Sequence, residues 1–185
     1  MADEVEIKFR IDDLSRVRQA LQGAGFREQT PRTHEMNTLY DRDGALRSKG
    51  ELLRLRDYGG NWVLTHKSRG STARHKTREE LETKVANGEE MDAIIRALGY
   101  SPSFRYEKFR SEWTDGQGHV VLDETPIGDF GEIEGKPQWI DQIARTLQIA
   151  DDKFITQSYS ELFFAWQKKT GSTAGEMTFA AVAPL

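Results

Sequence analysis

The chain has 185 residues, enough for one domain with a substantial core. Its 30 acidic and 26 basic residues give a net charge of −4, which argues against general nucleic-acid binding, since that function favours a basic surface. The absence of cysteine excludes disulfides, thiolate nucleophiles and cysteine-bound zinc. No apolar run is long enough to span a bilayer, and no signal sequence opens the chain, so we expect a cytoplasmic protein without a membrane partner.

The first predicted element is a strand over residues 4–11, whose side chains alternate between two faces. One face is apolar and carries Val5, Ile7, Phe9 and Ile11. The other face is charged and carries Glu4, Glu6, Lys8 and Arg10. Two adjacent carboxylates suit a hard cation such as Mg²⁺, and two adjacent cations suit a phosphate. The pattern indicates either a site for a metal and a phosphorylated ligand or a half-buried strand with a solvated face.

The rest of the chain predicts further helices and strands. A first helix follows Asp13, with Leu14, Val17 and Leu21 at helical spacing. Strands are predicted over residues 32–41, 51–58, 61–68, 76–85, 104–113, 119–123 and 129–135. Further helices are predicted over residues 89–98, 137–147 and 158–168. We expect a single domain over residues 1–169 and a disordered tail over residues 170–185. The tail is rich in small residues, shows no periodic pattern of apolar residues and is nearly uncharged.

The charged faces of the later strands are sorted by sign. The like-signed pairs are Arg54/Arg56, Lys108/Arg110 and Glu132/Glu134, and one strand carries Arg78, Glu80, Glu82 and Lys84. Like charges two residues apart repel unless an opposite charge lies between them, and an ordinary solvated surface mixes signs. Roughly eight antiparallel strands with this layout predict an α+β fold: an eight-stranded β-barrel, charged inside and covered outside by helices. Burying so many charges is costly unless they pair or bind a ligand, and a polyphosphate with its metal would neutralise both signs.

The ordered motifs resemble the CYTH superfamily, the triphosphate tunnel metalloenzymes. The resemblance covers about residues 3–166 and starts at Glu4-Val5-Glu6-Ile7-Lys8. The later motifs follow in family order: Leu53-Arg54-Leu55-Arg56, Lys67, Arg78-x-Glu80-x-Glu82, Lys108-x-Arg110, Leu122-Asp123, residues 128–134 and Ser158-Tyr159. A single short motif is weak, whereas the whole ordered set is specific.

The resemblance implies an antiparallel tunnel that binds a nucleoside, thiamine or inorganic triphosphate with Mg²⁺ or Mn²⁺. By position, the implied metal ligands are Glu4, Glu6, Asp123, Glu132 and Glu134. The implied phosphate-binding residues are Lys8, Arg54, Arg56, Lys67, Arg78, Lys108 and Arg110. Lys8, Arg78 and Glu80 would be catalytic, with Glu80 as an orienting or metal-linked group.

The family contains several reactions. Class IV adenylyl cyclases bring the ribose 3′-hydroxyl onto the α-phosphorus of ATP and release pyrophosphate, whereas triphosphatases bring water onto the terminal phosphorus. The start at residues 5–9 resembles the cyclase branch, so a metal-dependent adenylate cyclase is the leading hypothesis and a thiamine or inorganic triphosphatase is the alternative. Asn37 stands where an acid is common, and Gln157 stands where a basic residue is common.

Two hypotheses from other classes are a non-catalytic binder of polyanions and a barrel whose charges are merely solvated. The complete acidic set argues against the first, since a phosphate sensor needs cations more than carboxylates. His66 has the strand parity opposite to Lys67, and His119 follows a turn, so neither is expected to be catalytic. We expect a monomer or a homodimer.

Overall fold

The computed structural model describes residues 3–72 and 75–182, and only the backbone at residues 3, 4 and 72. Its strands are β1 (Asp3–Ile11), β2 (Arg27–Asp41), β3 (Leu52–Tyr58), β4 (Asn61–Lys67), β5 (Ser71–Thr72), β6 (Lys76–Val85), β7 (Ser101–Thr114), β8 (His119–Thr125) and β9 (Gly128–Glu134). Its α-helices are α1 (Leu14–Gly23), α2 (Ala45–Lys49), α3 (Gly88–Ala97), α4 (Pro137–Thr146), α5 (Tyr159–Thr170) and α6 (Phe179–Val182). A 3₁₀ turn spans Asp151–Lys153.

The strands close into the predicted barrel. The order β1-β9-β8-β7-β2-β3-β4-β6 is antiparallel throughout, and β6 returns to pair with β1. The short β5 adds to β6. The hairpin between β3 and β4 turns at Gly59 and Gly60, whose φ values of +57° and +85° suit glycine. The prediction of an eight-stranded antiparallel barrel in an α+β protein is confirmed.

Opposite charges face each other across neighbouring strands. Lys8 pairs in register with Glu132 between β1 and β9, and Arg110 pairs with Asp123 between β7 and β8. Opposite charges therefore flank Lys8 and Arg110 and offset the repulsion from like charges along their strands, whereas Glu6 lies opposite Glu134 on one side and Lys76 on the other.

The outward-facing side chains form the hydrophobic core together with the helices. Ile7 of β1 is fully buried in one cluster with Leu21 of α1 and Ile140 of α4. On another face, Ile95 of α3 shares a cluster with Leu55 of β3. The apolar side of each strand is thus removed from water by helices, which supplies the main stabilisation and leaves the polar side to line the interior.

Helix α5 covers one end of the barrel. Its residues Tyr159 and Phe163 lie in a buried cluster with Phe104 and Phe130, whose strand parity places them on the inward face. A capping box fixes the start of the helix, because the Ser158 hydroxyl accepts from the Glu161 amide while the Glu161 carboxylate accepts from the Ser158 amide. Tyr159, the first helical residue, is thereby aimed into the barrel.

The predicted disorder of residues 170–185 is wrong for residues 171–182, and residues 183–185 lie outside the described chain. Met177 is fully buried and makes a parallel bridge to Tyr106 of β7. The prediction failed because one buried side chain and the hydrogen bonds of an existing strand order this segment, and neither produces a periodic pattern.

Two other local differences have simple causes. Helix α2 was not predicted because five residues are too few for a periodic signal, and it is held by the Asp41 carboxylate, which accepts from the amides of Leu46 and Arg47. Strand β2 begins earlier than expected, at Arg27, with irregular pairing to β7 around Pro31. In the part of the chain that is described, no helix has the length and hydrophobicity needed to cross a membrane.

Candidate active site

The inward side chains of the barrel enclose a cavity of about 530 Å³, within the range of small-molecule sites. Eight cations line it: Lys8, Arg54, Arg56, Lys67, Lys76, Arg78, Lys108 and Arg110. Six carboxylates line it: Glu6, Glu80, Glu82, Glu112, Glu132 and Glu134. Among the described side chains the lining carries both signs, and the buried Glu35 and Asp123 contact Lys108 and Arg110 from behind it, so the site suits an anionic ligand that arrives with a cation. All the predicted site residues with described side chains line the cavity, except Asp123. The side chain of Glu4 lies outside the described residues.

The cavity wall formed by β1, β2, β7, β8 and β9, here called the dense wall, is tightly ion-paired. The Lys8 ammonium contacts the Glu132 carboxylate. Arg110 donates to the same carboxylate at 2.5 Å and to both oxygens of Asp123 at 2.7 and 2.6 Å. Glu132 therefore links two cations that would otherwise repel each other.

Two buried carboxylates hold the Lys108–Arg110 pair from either side. The Lys108 ammonium lies 2.9 Å from Asp123 and 3.5 Å from Glu35, and the Arg110 guanidinium lies 3.9 Å from Glu35. The Tyr159 hydroxyl also donates to Asp123, at 2.5 Å. Asp123 is fully buried, does not line the cavity and is already bonded to three donors, so its predicted role as a metal ligand gains no support here. Instead it orients Lys108 and Arg110.

The opposite wall, formed by β3, β4 and β6 and here called the loose wall, has longer contacts. Lys67 lies 3.2 Å from Glu80, and Arg54 lies 3.8 Å from the same carboxylate. Arg56 lies 3.5 Å from Glu82, which is 41% exposed. These cations are therefore held less tightly and can exchange a carboxylate for a phosphate at lower cost.

The remaining cations of the cavity link it to neighbouring segments. Arg78 donates to the backbone carbonyls of Ser68 and Gly50, at 2.9 and 2.8 Å. Lys76 lies 2.8 Å from Glu6. Arg78 thus joins the loops that flank β4 and β3, in addition to lining the cavity.

The charge states of the dense wall follow from these contacts. Burial would raise the pKa of Glu35, but Lys108 and Arg110 outweigh burial and bring the pKa to about 2. Burial likewise opposes ionisation of Glu132, yet Lys8 and Arg110 hold its pKa well below the usual range. Burial would lower the pKa of Lys8, whereas Glu132 and Glu6 raise it above its usual value. All these groups are charged at neutral pH, so they serve as fixed charges rather than as proton carriers.

Several residues that shape the candidate site were not identified from the sequence. Glu35 lies opposite Lys108 in the β2–β7 register, and only that register reveals its role. Tyr159 was seen as part of a motif, but its ring lies 4.5 Å from the Lys8 ammonium and 4.6 Å from the Lys108 ammonium, as cation–π contacts. Lys76 shares the strand parity of Arg78 and could have been found from it. His119, expected to be exposed after a turn, is exposed and also lines the cavity.

The cavity contains carboxylate oxygens, which are the ligands that hard divalent cations prefer. Glu6, Glu132 and Glu134 supply oxygen ligands to one cavity, as Mg²⁺ and Mn²⁺ prefer. Among the described side chains no three acidic or histidine residues converge as a metal site, since lysine ammonium groups lie against Glu6 and Glu132. These carboxylates are therefore the type of ligand that a divalent metal binds. In this structure Lys76 and Lys8 neutralise the charge of Glu6 and Glu132, which a bound metal would otherwise neutralise.

Comparisons with known proteins agree with this fold. The CYTH domain family matches residues 2–159. A curated relative from Methanocaldococcus jannaschii, named "putative adenylate cyclase", is 31% identical over 170 residues that cover 86% of this chain and 97% of the relative.

Solved structures share the same architecture. One from Vibrio parahaemolyticus, described as a "putative adenylate cyclase", has a TM-score of 0.78 at 19% identity and covers 87% of this chain and 97% of its own. One from Hippeastrum, described as a "putative adenylyl cyclase" that reveals a dominant triphosphatase activity, has a TM-score of 0.63 at 22% identity and covers 88% of this chain and 95% of its own. At these identities the two structures show the fold alone. The family match over nearly the whole chain establishes that the protein belongs to the CYTH domain family.

Proposed function

We propose that the protein is a divalent-metal-dependent enzyme that binds a triphosphate inside its barrel, and that its reaction is conversion of ATP to cyclic AMP and pyrophosphate. The observation that carries the first part is the cavity itself, in which eight cations and six carboxylates of the described residues face one space. A triphosphate would match the cations, and a metal would match the carboxylates. The name of the relative from Methanocaldococcus jannaschii supports the choice of reaction.

The phosphates would bind to the cations of both walls. Lys8, Lys108 and Arg110 are oriented by buried carboxylates, so they present fixed charges to the ligand. Arg54, Arg56 and Lys67 can turn from Glu80 and Glu82 towards phosphate oxygens. Arg78 would complete the set from the edge of β6.

The metal, Mg²⁺ or Mn²⁺, would be held by Glu6, Glu132 and Glu134, with Glu4 as a further ligand. When bound, it would neutralise charge on the phosphate oxygens as a Lewis acid. Lys8 stays protonated because its pKa is raised by Glu132 and Glu6, so it stabilises negative charge that develops on the phosphate rather than transferring a proton.

In the proposed reaction the ribose 3′-oxygen forms a bond to the α-phosphorus, and the bond from that phosphorus to the bridging oxygen of the β-phosphate breaks. Pyrophosphate leaves with the electron pair, and the 3′-hydroxyl proton is released to a carboxylate or to water. Glu80 would orient the ligand through Lys67, which lies 3.2 Å from it.

A triphosphatase is the second candidate, with thiamine triphosphate or inorganic triphosphate as substrate. The observation that favours it is the Hippeastrum structure of the same fold, whose protein is described by a dominant triphosphatase activity. The same cations and carboxylates would serve, and water would attack the terminal phosphorus.

The test is a product assay with ATP, thiamine triphosphate and inorganic triphosphate, each with Mg²⁺ and with Mn²⁺. Cyclic AMP with pyrophosphate supports the cyclase, and orthophosphate without cyclic nucleotide supports the triphosphatase. Glu6→Gln and Glu132→Gln should abolish turnover, whereas Glu124→Gln, on the outward face of β8 beside Arg32, should not. Full turnover in either cavity variant would contradict the metal-binding roles.

Non-catalytic alternatives have their own outcomes. Tight triphosphate binding without metal and without turnover would indicate a polyanion binder. A ligand at 100 times its Kd should add about 2.7 kcal/mol to the free energy of unfolding, so no thermal shift with triphosphate and metal would indicate a barrel without this ligand.

A further inference from the structure

The C-terminal segment fills a gap in the barrel. Within the described residues, β8 pairs with β7 only over residues 109–114, and no described strand lies on that side of residues 101–108. Residues 171–182, here called the C-terminal strap, lie along this edge. The Met177 amide donates to the Arg105 carbonyl and the Glu107 amide donates to the Met177 carbonyl, each at 3.0 Å. The strap thus satisfies backbone groups that the end of β8 leaves unpaired.

The strap is anchored on both sides of this bridge. Before it, the Gln167 side chain of α5 donates to the Ala174 carbonyl at 2.5 Å. After it, the Phe179 amide donates to the Glu107 carboxylate at 2.7 Å, and the Phe179 ring lies 5.5 Å from that of Phe109. Met177, between these anchors, has no exposed surface. The strap is therefore a packed part of the domain.

Met177 lies in one buried cluster with residues that line the ligand cavity, and its backbone forms a bridge to one of them, Tyr106. Its buried cluster contains Tyr106 and Tyr159, whose rings lie 5.8 Å apart, and both tyrosines line the cavity. The Tyr159 ring lies under the ammonium groups of Lys8 and Lys108. A displacement of Met177 would open a void beside these rings and loosen the surface on which both lysines lie.

We propose that the C-terminal strap positions the tyrosine pair of the triphosphate cavity, with Met177 as the positioning residue, and that strap docking and triphosphate binding are energetically coupled. This inference rests on the proposed triphosphate function. The family match ends at Tyr159, so the strap is an addition to the matched region that acts on its site. Coupling is reciprocal: a ligand that needs the docked strap must also slow its opening.

The absence of cysteine in the natural chain allows a direct test. Met177→Cys places one thiol in the buried position, and Thr173→Cys places one on an exposed position of the same strap as the control. Thiol labelling of residue 177 should be at least about 100-fold slower than that of residue 173. Inorganic triphosphate with Mg²⁺ at 100 times its Kd should slow labelling of residue 177 further, by up to about 100-fold, and leave residue 173 unchanged.

A second pair of variants separates positioning from folding. Met177→Leu should preserve triphosphate affinity, and Met177→Ser should raise the Kd about tenfold or more while the far-ultraviolet circular dichroism stays native. The cysteine variant could fail to fold. In that case amide hydrogen exchange at Met177 and Glu107 is measured in the unsubstituted protein, with and without triphosphate.

The outcomes are distinct. If triphosphate raises the Tm but changes neither labelling nor exchange of the strap, the coupling is wrong and the proposed function stands. If residue 177 labels as fast as residue 173 without ligand, the strap is not docked and the inference fails. If no triphosphate raises the Tm, the proposed function fails and this inference fails with it.

Discussion

The two walls of the cavity differ in how their cations are held. On the dense wall, Lys108 and Arg110 are bonded to the fully buried Asp123 at 2.6–2.9 Å. On the loose wall, the contacts of Lys67 and Arg56 with their carboxylates are 3.2 and 3.5 Å and partly exposed. Buried pairs are costly to break, whereas partly exposed pairs are weak. We infer that the dense wall shapes the cavity and that the loose wall adapts to the ligand.

The largest expected effect is the loss of the central carboxylate of the dense wall. Asp123→Ala removes the nearer of the two carboxylates that Lys108 and Arg110 share and should lower the free energy of unfolding by about 3–5 kcal/mol. Urea denaturation measures it. The control is Glu124→Ala, the next residue along β8, whose contacts with Arg18 and Arg32 are partly exposed and whose loss should cost less than about 1 kcal/mol. Equal losses in the two variants would show that the buried Asp123 contributes no more to stability than a partly exposed carboxylate on the outer face of β8.

The next effect depends on pH. The pKa of Glu35 is about 2 in the folded protein against an ordinary 4.5, so the unfolded chain takes up this proton first as the pH falls. The stability that Glu35 contributes is therefore complete above pH 4.5 and disappears as the pH falls towards 2. Glu35→Gln should cost on the order of 3 kcal/mol at pH 7 and markedly less at pH 3. Urea denaturation at both pH values checks this, and a cost that does not change with pH would show that Glu35 is not ionised in the fold.

On the loose wall we expect a substitution to change stability little and to weaken triphosphate binding strongly. Lys67→Met should change the free energy of unfolding by less than about 1 kcal/mol but raise the Kd for triphosphate by roughly 10- to 100-fold, because a charge-assisted contact to phosphate is lost. Isothermal titration calorimetry with inorganic triphosphate measures the Kd. Lys84→Met removes a lysine from an exposed position of β6 and should change neither quantity. A large stability loss in the Lys67 variant would mean that this wall is as structural as the other.

The smallest effect distinguishes the two roles of Tyr159. Tyr159→Phe removes one hydrogen bond to Asp123, which keeps its bonds to Lys108 and Arg110, so it should cost about 1 kcal/mol. The ring remains under Lys8 and Lys108, and we expect no change in triphosphate affinity. Tyr159→Leu removes the aromatic face as well and should weaken binding. If the phenylalanine variant lost as much affinity as the leucine variant, the hydroxyl rather than the ring would support the lysines.

The sequence alone determined which side chains share a face of each strand, and it showed the order of the motifs. Alternation along residues 4–11 placed Ile7 outside and Lys8 inside the barrel, and the paired charges of like sign correctly predicted a charged interior. These are local properties, because successive side chains of a strand point to opposite faces whatever the strand pairs with. The ordered motifs were specific enough to predict the family that the comparisons establish.

The partners of each charge were decided by the tertiary structure. The sequence indicated a metal ligand at Asp123, which stays a prediction, but not its bonds to Lys108 and Arg110, and it gave Glu35 no role although Glu35 contacts the same cations. Met177, in a tail expected to be disordered, packs behind the cavity tyrosines. Such contacts depend on register, on closure of the barrel and on the path of the last helix, which join residues far apart in the chain. Local periodicity carries no information about them, since it records which face a side chain occupies and not what lies opposite.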